Sequence, residues 1–114
     1  MLHRETGAET VQAAVDQGAI STVNWSEVYQ RSLDRGIDVA RLRADIEALG
    51  LEIVPFTVDD AERAAEFRSA TRHIGLSLGD RACLALARRL VLPALTADRS
   101  WIDLDLGVDV QTIR

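Results

Sequence analysis

The feature that most constrains this chain is the alternation of helical and strand-like segments along its 114 residues. Apolar residues three or four apart predict amphipathic helices, and short apolar runs bounded by Gly, Pro or Asp predict strands. Strands separated by helices pair in parallel, so we expect one α/β domain, residues 1–114, with helices on both faces of a parallel sheet. The predicted helices span 7–17, 24–33, 38–49, 57–72 and 77–90, and the predicted strands span 19–23, 51–54, 94–97 and 108–113.

Composition narrows the possible functions. The net charge is −5, and all 13 basic residues are arginine. A protein that binds nucleic acid without sequence specificity needs excess positive charge to neutralise phosphates, so this chain is a poor candidate for that class. A nuclease that holds Mg²⁺ on carboxylates remains compatible, because the metal then carries positive charge to the phosphate. The single cysteine, Cys83, excludes an internal disulfide and lies in an apolar helix stripe, which predicts a core residue. With no signal peptide or membrane span expected, the sequence predicts a cytoplasmic protein.

Three carboxylates occupy comparable places in the predicted α/β pattern. Glu27 follows a strand by about one helical turn, Asp80 lies at the start of the most apolar helix, and Asp98 lies where a short strand ends. In a parallel sheet the strand carboxyl ends and the following helix starts share one edge, so the three can converge. Mg²⁺ prefers oxygen ligands, and a few carboxylates are enough to hold it against a phosphate.

Helix capping is the competing interpretation of the same acids. The spacings Asn24–Glu27, Ser77–Asp80 and Thr57–Asp60 all match a capping box or a close variant. Acids in a first turn also offset the helix dipole by roughly 0.3–1 kcal/mol. Spacing alone therefore favours capping over catalysis and does not separate Asp80 from Asp60. Asp98 has no capping explanation, although it fits an ordinary turn aspartate.

Three segments in order resemble the PIN domain of VapC-type toxins. They are NWSEV at 24–28, LSLGDRACLALA at 76–87 and LTADRSW at 95–101, followed by a further matching stretch, LGVDV at 106–110. The resemblance implies a PIN-like three-layer sandwich and a ribonuclease that cleaves RNA phosphodiester bonds with Mg²⁺ or Mn²⁺. It further implies the toxin component of a type II toxin–antitoxin system, with a cognate antitoxin as partner and a tendency to form homodimers.

The resemblance also assigns roles to individual residues. Glu27, Asp80 and Asp98 become residues of an acidic metal site, and Asp80 becomes its firmest ligand. The residues with weaker implied roles, in reaching a phosphate or positioning a ligand, are Arg81, Arg99, Thr96 and Ser77. A solvent-facing role for the two arginines and a structural role for the two hydroxyl groups stay open as alternatives.

One part of the family pattern is missing. Members open with an apolar strand that ends in an aspartate, whereas residues 1–7 here already match the segment that comes after that strand. We therefore expect the first, central strand and one metal ligand to be absent, and the two halves of the sheet to separate. Glu5 and Glu9 lie in the wrong element to replace that aspartate. A mis-assigned start, a cut chain and a decayed protein each explain the difference.

The missing strand keeps other functions open. The alternative to an active ribonuclease is a catalytically dead PIN domain that only binds antitoxin or dimerises. A third hypothesis is a phosphate-handling α/β enzyme of another kind.

Overall fold

The computed structural model describes residues 13–112. Along the chain these residues form β1 (Ala13–Val15), β2 (Ala19–Ser21), α1 (Thr22–Asp34), α2 (Leu42–Ala48), β3 (Glu52–Val54), α3 (Val58–Thr71), α4 (Leu78–Leu90), β4 (Ala94–Thr96) and β5 (Val110–Thr112). Short 3-10 turns at Arg72–Ile74 and Arg99–Trp101 follow α3 and β4. Apart from the segment around β1, each predicted element is present, and most are a few residues shorter than predicted.

The strands form one sheet in the order β3-β2-β1-β4-β5. The pairs β2–β3 and β4–β5 are parallel, whereas β1 runs antiparallel to both of its neighbours. The α/β fold class is confirmed, and the carboxyl-terminal segment forms an edge strand as predicted. Because β2 and β4 both oppose β1, they run in the same direction, and their carboxyl ends lie at one edge of the sheet.

The centre of the sheet differs from the prediction. The part of the predicted 7–17 helix within the described residues is wrong, since Ala13–Val15 is a strand and a turn follows it. The expected separation of the sheet's halves is also wrong, because β1 pairs with β2 on one side and β4 on the other. Buried strand edges require hydrogen-bond partners, and this pairing outweighs the short helical periodicity. Gln17 (φ 70°) and Gly18 (φ 82°) supply the positive φ values that the hairpin turn requires.

Helix α4 forms the centre of the core, as its apolar sequence predicts. Six consecutive residues, 82–87, are buried, and the last five of them pack in a cluster with Val15, Ala94, Phe67 and Trp101. Burial on all sides of a helix is typical of one enclosed between a sheet and other helices. Its ends are therefore held firmly in place, which fixes the position of the residues at its first turn. No helix within residues 13–112 has the length and apolar character needed to cross a bilayer.

Candidate acidic site

The start of α1 places Glu27 inside the helix rather than at its cap. Ser21 is the N-cap residue, and its hydroxyl accepts a hydrogen bond from the Val23 backbone N–H at 3.1 Å. The first turn of α1 contains no acidic residue. The capping interpretation of Asn24–Glu27 is therefore wrong, because the helix begins earlier than the sequence pattern indicates. Glu27 is half-buried and has no role in capping the start of the helix.

Glu27 lies against Gly79, which is buried in the first turn of α4. A Cβ atom at position 79 would overlap the Glu27 carboxylate, so glycine is what allows this contact. Asn24 links the two helices: its side-chain Nδ2 donates to the Gly79 carbonyl at 2.9 Å and to Glu27 Oε1 at 3.3 Å. The amide group thus holds the carboxylate against the start of α4. Sequence reasoning treated Asn24 only as a cap and missed this role.

Asp80 follows Gly79 and caps α4. Its Oδ2 accepts from the Ser77 backbone N–H at 3.0 Å, and the Ser77 hydroxyl accepts from the Asp80 N–H at 3.1 Å. The predicted capping box is therefore present, but it occupies only part of the carboxylate's accepting capacity. Burial raises the pKa of the Cys83 thiol to about 12, and the charges of Asp80 and Glu27 both add to that rise. The two carboxylates thus act on one buried thiol one turn further along α4.

Asp60 shows what a purely structural acid looks like in this fold. It forms the same capping box with Thr57, but it is also buried and accepts from Arg89 Nε at 2.8 Å and Nη2 at 3.0 Å. Burial by itself raises the pKa of Asp60, but the hydrogen bonds from Arg89 and Thr57 outweigh it, so the net shift is downward. Among the described residues no ion pair reaches Glu27 or Asp80. The cation partner therefore separates Asp60 from Asp80, which their spacing did not.

Asp98 lies two residues beyond β4, at the carboxyl edge of the sheet. Its Oδ1 accepts from the Ser100 N–H at 2.9 Å and from the Ser100 hydroxyl at 2.7 Å. These bonds lower the pKa of Asp98, and the nearby indole of Trp101 contributes, although its N–H lacks the geometry of a hydrogen bond. Asp98 is exposed and caps the following 3-10 turn, so the expectation that it has no capping role is wrong. Within residues 13–112 it does not join Glu27 and Asp80 in a group of three able to hold a metal ion.

The remaining predicted residues differ in burial and in their hydrogen bonds. Thr96 is buried and its hydroxyl accepts from the Asp98 backbone N–H at 2.9 Å, which orders the turn after β4. Arg81 Nη1 donates to the Ala64 carbonyl at 2.9 Å and so ties α4 to α3. Arg99 is exposed in the turn after Asp98. Thr96 thus has a structural bond, and so does the Ser77 hydroxyl in the capping box.

Comparison with known proteins identifies the family. The PIN domain model matches residues 1–106. This chain belongs to the PIN domain family. The match confirms the resemblance drawn from the three sequence segments. No curated protein sequence matches the chain.

Two solved structures share this fold. A chain of a toxin–antitoxin complex from Klebsiella pneumoniae has 25% identity and a TM-score of 0.63, over 84% of this PIN domain and 73% of that chain. A chain of VapBC2 from Rickettsia felis, bound to a DNA fragment from their promoter, has 16% identity and a TM-score of 0.62. That second match covers 82% of this chain and 73% of the other, and it shows the fold alone.

The oxygen atoms around Gly79 fit a hard divalent cation. Glu27 and Asp80 supply two carboxylates without an ion pair in the described part of the chain. Asn24 is buried, and its Oδ1 has no hydrogen-bond partner there. A buried carbonyl oxygen without a donor is costly, and a cation or a water molecule removes that cost. Carboxylate and amide oxygens are the donors that Mg²⁺ and Mn²⁺ accept.

Proposed function

We propose that this PIN domain is a Mg²⁺-dependent ribonuclease, the toxin component of a type II toxin–antitoxin system. The observation that carries the proposal is the contact of Glu27 with Gly79, which places one carboxylate beside the start of the helix that presents another, Asp80. Two uncompensated carboxylates repel each other, and a bound cation removes that repulsion. The family match and the likeness to a chain of a toxin–antitoxin complex support the same proposal.

In the proposed site Glu27 and Asp80 would hold the metal, whereas Asp98 lies apart from them after β4 and is not one of its ligands in this structure. A divalent metal held there by Glu27 and Asp80 would supply water activation and stabilisation of negative charge on the scissile phosphodiester. Asn24 orients Glu27 through its Nδ2 bond, and the Ser77 capping bonds fix the Asp80 carboxylate on the first turn of α4. The chain's own contribution is thus to hold these oxygens in one place before the substrate arrives.

A cleavage assay tests the proposal with matched variants. Labelled single-stranded RNA is incubated with the full chain in Mg²⁺, in EDTA, and with Asp80→Asn and Asp59→Asn. The Asp80→Asn side chain still accepts from Ser77 and so keeps the cap, but it loses the charge. Asp59 is an exposed first-turn acid of α3, so its variant controls for the same change in net charge.

We expect metal-dependent cleavage that Asp80→Asn reduces at least about 100-fold and Asp59→Asn leaves unchanged. Asp80→Ala is expected to show the same loss of activity. Because the Ser77 N–H also loses its acceptor, the free energy of unfolding is expected to fall by about 1 kcal/mol. Cleavage that survives in Asp80→Asn contradicts the site assignment. Absence of cleavage by the unaltered chain rejects the ribonuclease and leaves the non-catalytic alternative, binding of antitoxin or dimerisation.

The proposal extends to partners and place of action. The structural neighbour from Klebsiella pneumoniae is a toxin–antitoxin complex, which supports a protein antitoxin for this chain as well. We propose that the toxin acts in the cytoplasm on cellular RNA and forms homodimers. Size-exclusion chromatography with light scattering tests both associations, on the chain alone for dimerisation and on the chain co-expressed with a candidate antitoxin for complex formation.

A further inference from the structure

A pocket of about 350 Å³ lies between the end of α3 and the start of α4. The residues that line it are Arg68, Thr71, Arg72, Gly75, Leu76 and Arg81. Half of them are arginines and none is acidic, in a chain whose net charge is −5. Its arginines form no ion pair among residues 13–112. The pocket is therefore a local concentration of positive charge on an acidic protein.

Helix stability does not explain this arrangement. Arg68 lies in the last turn of α3 and Arg72 is its C-cap residue, so two positive charges lie at the same end of the helix and repel each other. The negative end of the α3 dipole offsets part of that repulsion. Arg81 gains nothing from a dipole, because it lies at the positive end of α4. An anion bound between the three guanidinium groups removes both unfavourable terms.

Arg81 carries a second sign of a missing partner. Its Nη1 donates to the Ala64 carbonyl, but its Nε is buried and has no acceptor in the described part of the chain. A buried N–H donor of a charged group without an acceptor is costly. Thr71 does not serve it, since its hydroxyl donates to the Phe67 carbonyl at 2.8 Å. The guanidinium group is thus fixed on one side and unsatisfied on the other.

We propose that this pocket binds backbone phosphates of the RNA strand next to the scissile bond. The inference rests on the proposed function, because Arg81 follows Asp80 and the pocket and the acidic site therefore share the first turn of α4. Planar guanidinium groups match the geometry of phosphate oxygens and keep their charge at any working pH. An acidic chain repels RNA, so a nuclease of this composition needs such a local anchor.

Binding without cleavage tests the inference independently of catalysis. In EDTA and in the Asp80→Asn background, fluorescence anisotropy measures the affinity of a labelled single-stranded RNA at several salt concentrations. The test variant is Arg68→Ala with Arg72→Ala, two exposed side chains of the pocket. The matched control is Arg41→Ala with Arg43→Ala, exposed arginines at the start of α2, which removes the same net charge.

The test pair is expected to raise the Kd about ten-fold at moderate salt and to lower the salt slope by roughly 1.4, the value for two phosphate contacts. The control pair is expected to change the Kd less than about two-fold. The lysine versions, Arg68→Lys with Arg72→Lys, retain the charge and are expected to be intermediate. Circular dichroism verifies that each variant is folded.

Equal weakening by the test and control pairs overturns the inference. The inference is also overturned if the test pair binds RNA as tightly as the control pair but no longer binds an acidic antitoxin segment. That result assigns the pocket to a protein partner. The Kd and its salt dependence are both measured without cleavage. If the chain fails the ribonuclease assay but its RNA affinity depends on these arginines, only the proposed function is contradicted.

Discussion

Replacing Gly79 with alanine is expected to separate the activity of this protein from its stability. The added Cβ would overlap the Glu27 carboxylate, which is the mobile end of a long side chain. Glu27 therefore rotates away rather than forcing the helices apart. The change breaks the 3.3 Å bond from Asn24 Nδ2 to Glu27 and moves one proposed metal ligand.

The expected free energies nearly cancel. Alanine is favoured over glycine within a helix by about 0.5–1 kcal/mol, and the gain is smaller in a first turn. Loss of one hydrogen bond costs about 0.5–1.5 kcal/mol. The free energy of unfolding should thus change by less than about 1 kcal/mol. For a domain of this size, a change of about 1 kcal/mol shifts the Tm by about 4–8 °C, so the expected shift is smaller. Displacement of a ligand by about 1 Å, in contrast, can reduce activity about 100-fold.

The assay compares Tm and kcat/KM for Gly79→Ala, Glu27→Gln and the double variant. If Gly79 acts only through Glu27, the double variant is expected to lose no more activity than Glu27→Gln alone. Gly79→Ala with unchanged kcat/KM would refute the reasoning, because the contact would then have no bearing on the site. A large drop in Tm would refute the expected movement of Glu27.

Three further predictions concern parts of the fold outside the site. Arg89→Ala leaves the buried Asp60 without its cation and should cost about 1–3 kcal/mol, nearer the lower value because Arg89 is 35% exposed. Since the folded pKa of Asp60 is below its usual 3.8, urea unfolding should show this cost above about pH 4 and lose it as pH falls through the folded value. Val91 has φ 56° at the end of α4 and is 87% exposed, so Val91→Gly should raise stability by about 1 kcal/mol, whereas the matched Val58→Gly should lower it. With a pKa of about 12, Cys83 should resist iodoacetamide at pH 8 until the chain unfolds, and rapid alkylation of the native protein would contradict its burial.

The sequence predicted the order of helices and strands because each helix carries its own signals. Ser77 caps α4 and the apolar residues beyond it form a buried stripe, both of which are local properties. The strand Ala13–Val15 was not predictable in this way. Its three residues fit a helix as well as a strand. Pairing decides between the two structures: β2 follows β1 after a turn, and β4 is distant in sequence.

The site was predictable only as a set of candidate acids. Asp60 and Asp80 have capping boxes of the same kind, and what distinguishes them is the burial of Asp60 and its Arg89 partner, 29 residues away. The contact between Asn24 and Gly79 spans 55 residues and leaves no mark in local spacing. The pocket of arginines likewise needs the packing of α3 on α4. Tertiary contacts therefore supply what periodicity and capping rules cannot.

The central claim is that Glu27 and Asp80 together hold one divalent metal ion. Titration of the full chain with Mn²⁺, followed by electron paramagnetic resonance of the free ion, measures that binding directly. Saturable binding that Glu27→Gln and Asp80→Asn each weaken at least about ten-fold, with Asp59→Asn unchanged, is the predicted result. Equal Mn²⁺ affinity in Asp80→Asn and Asp59→Asn would contradict the claim.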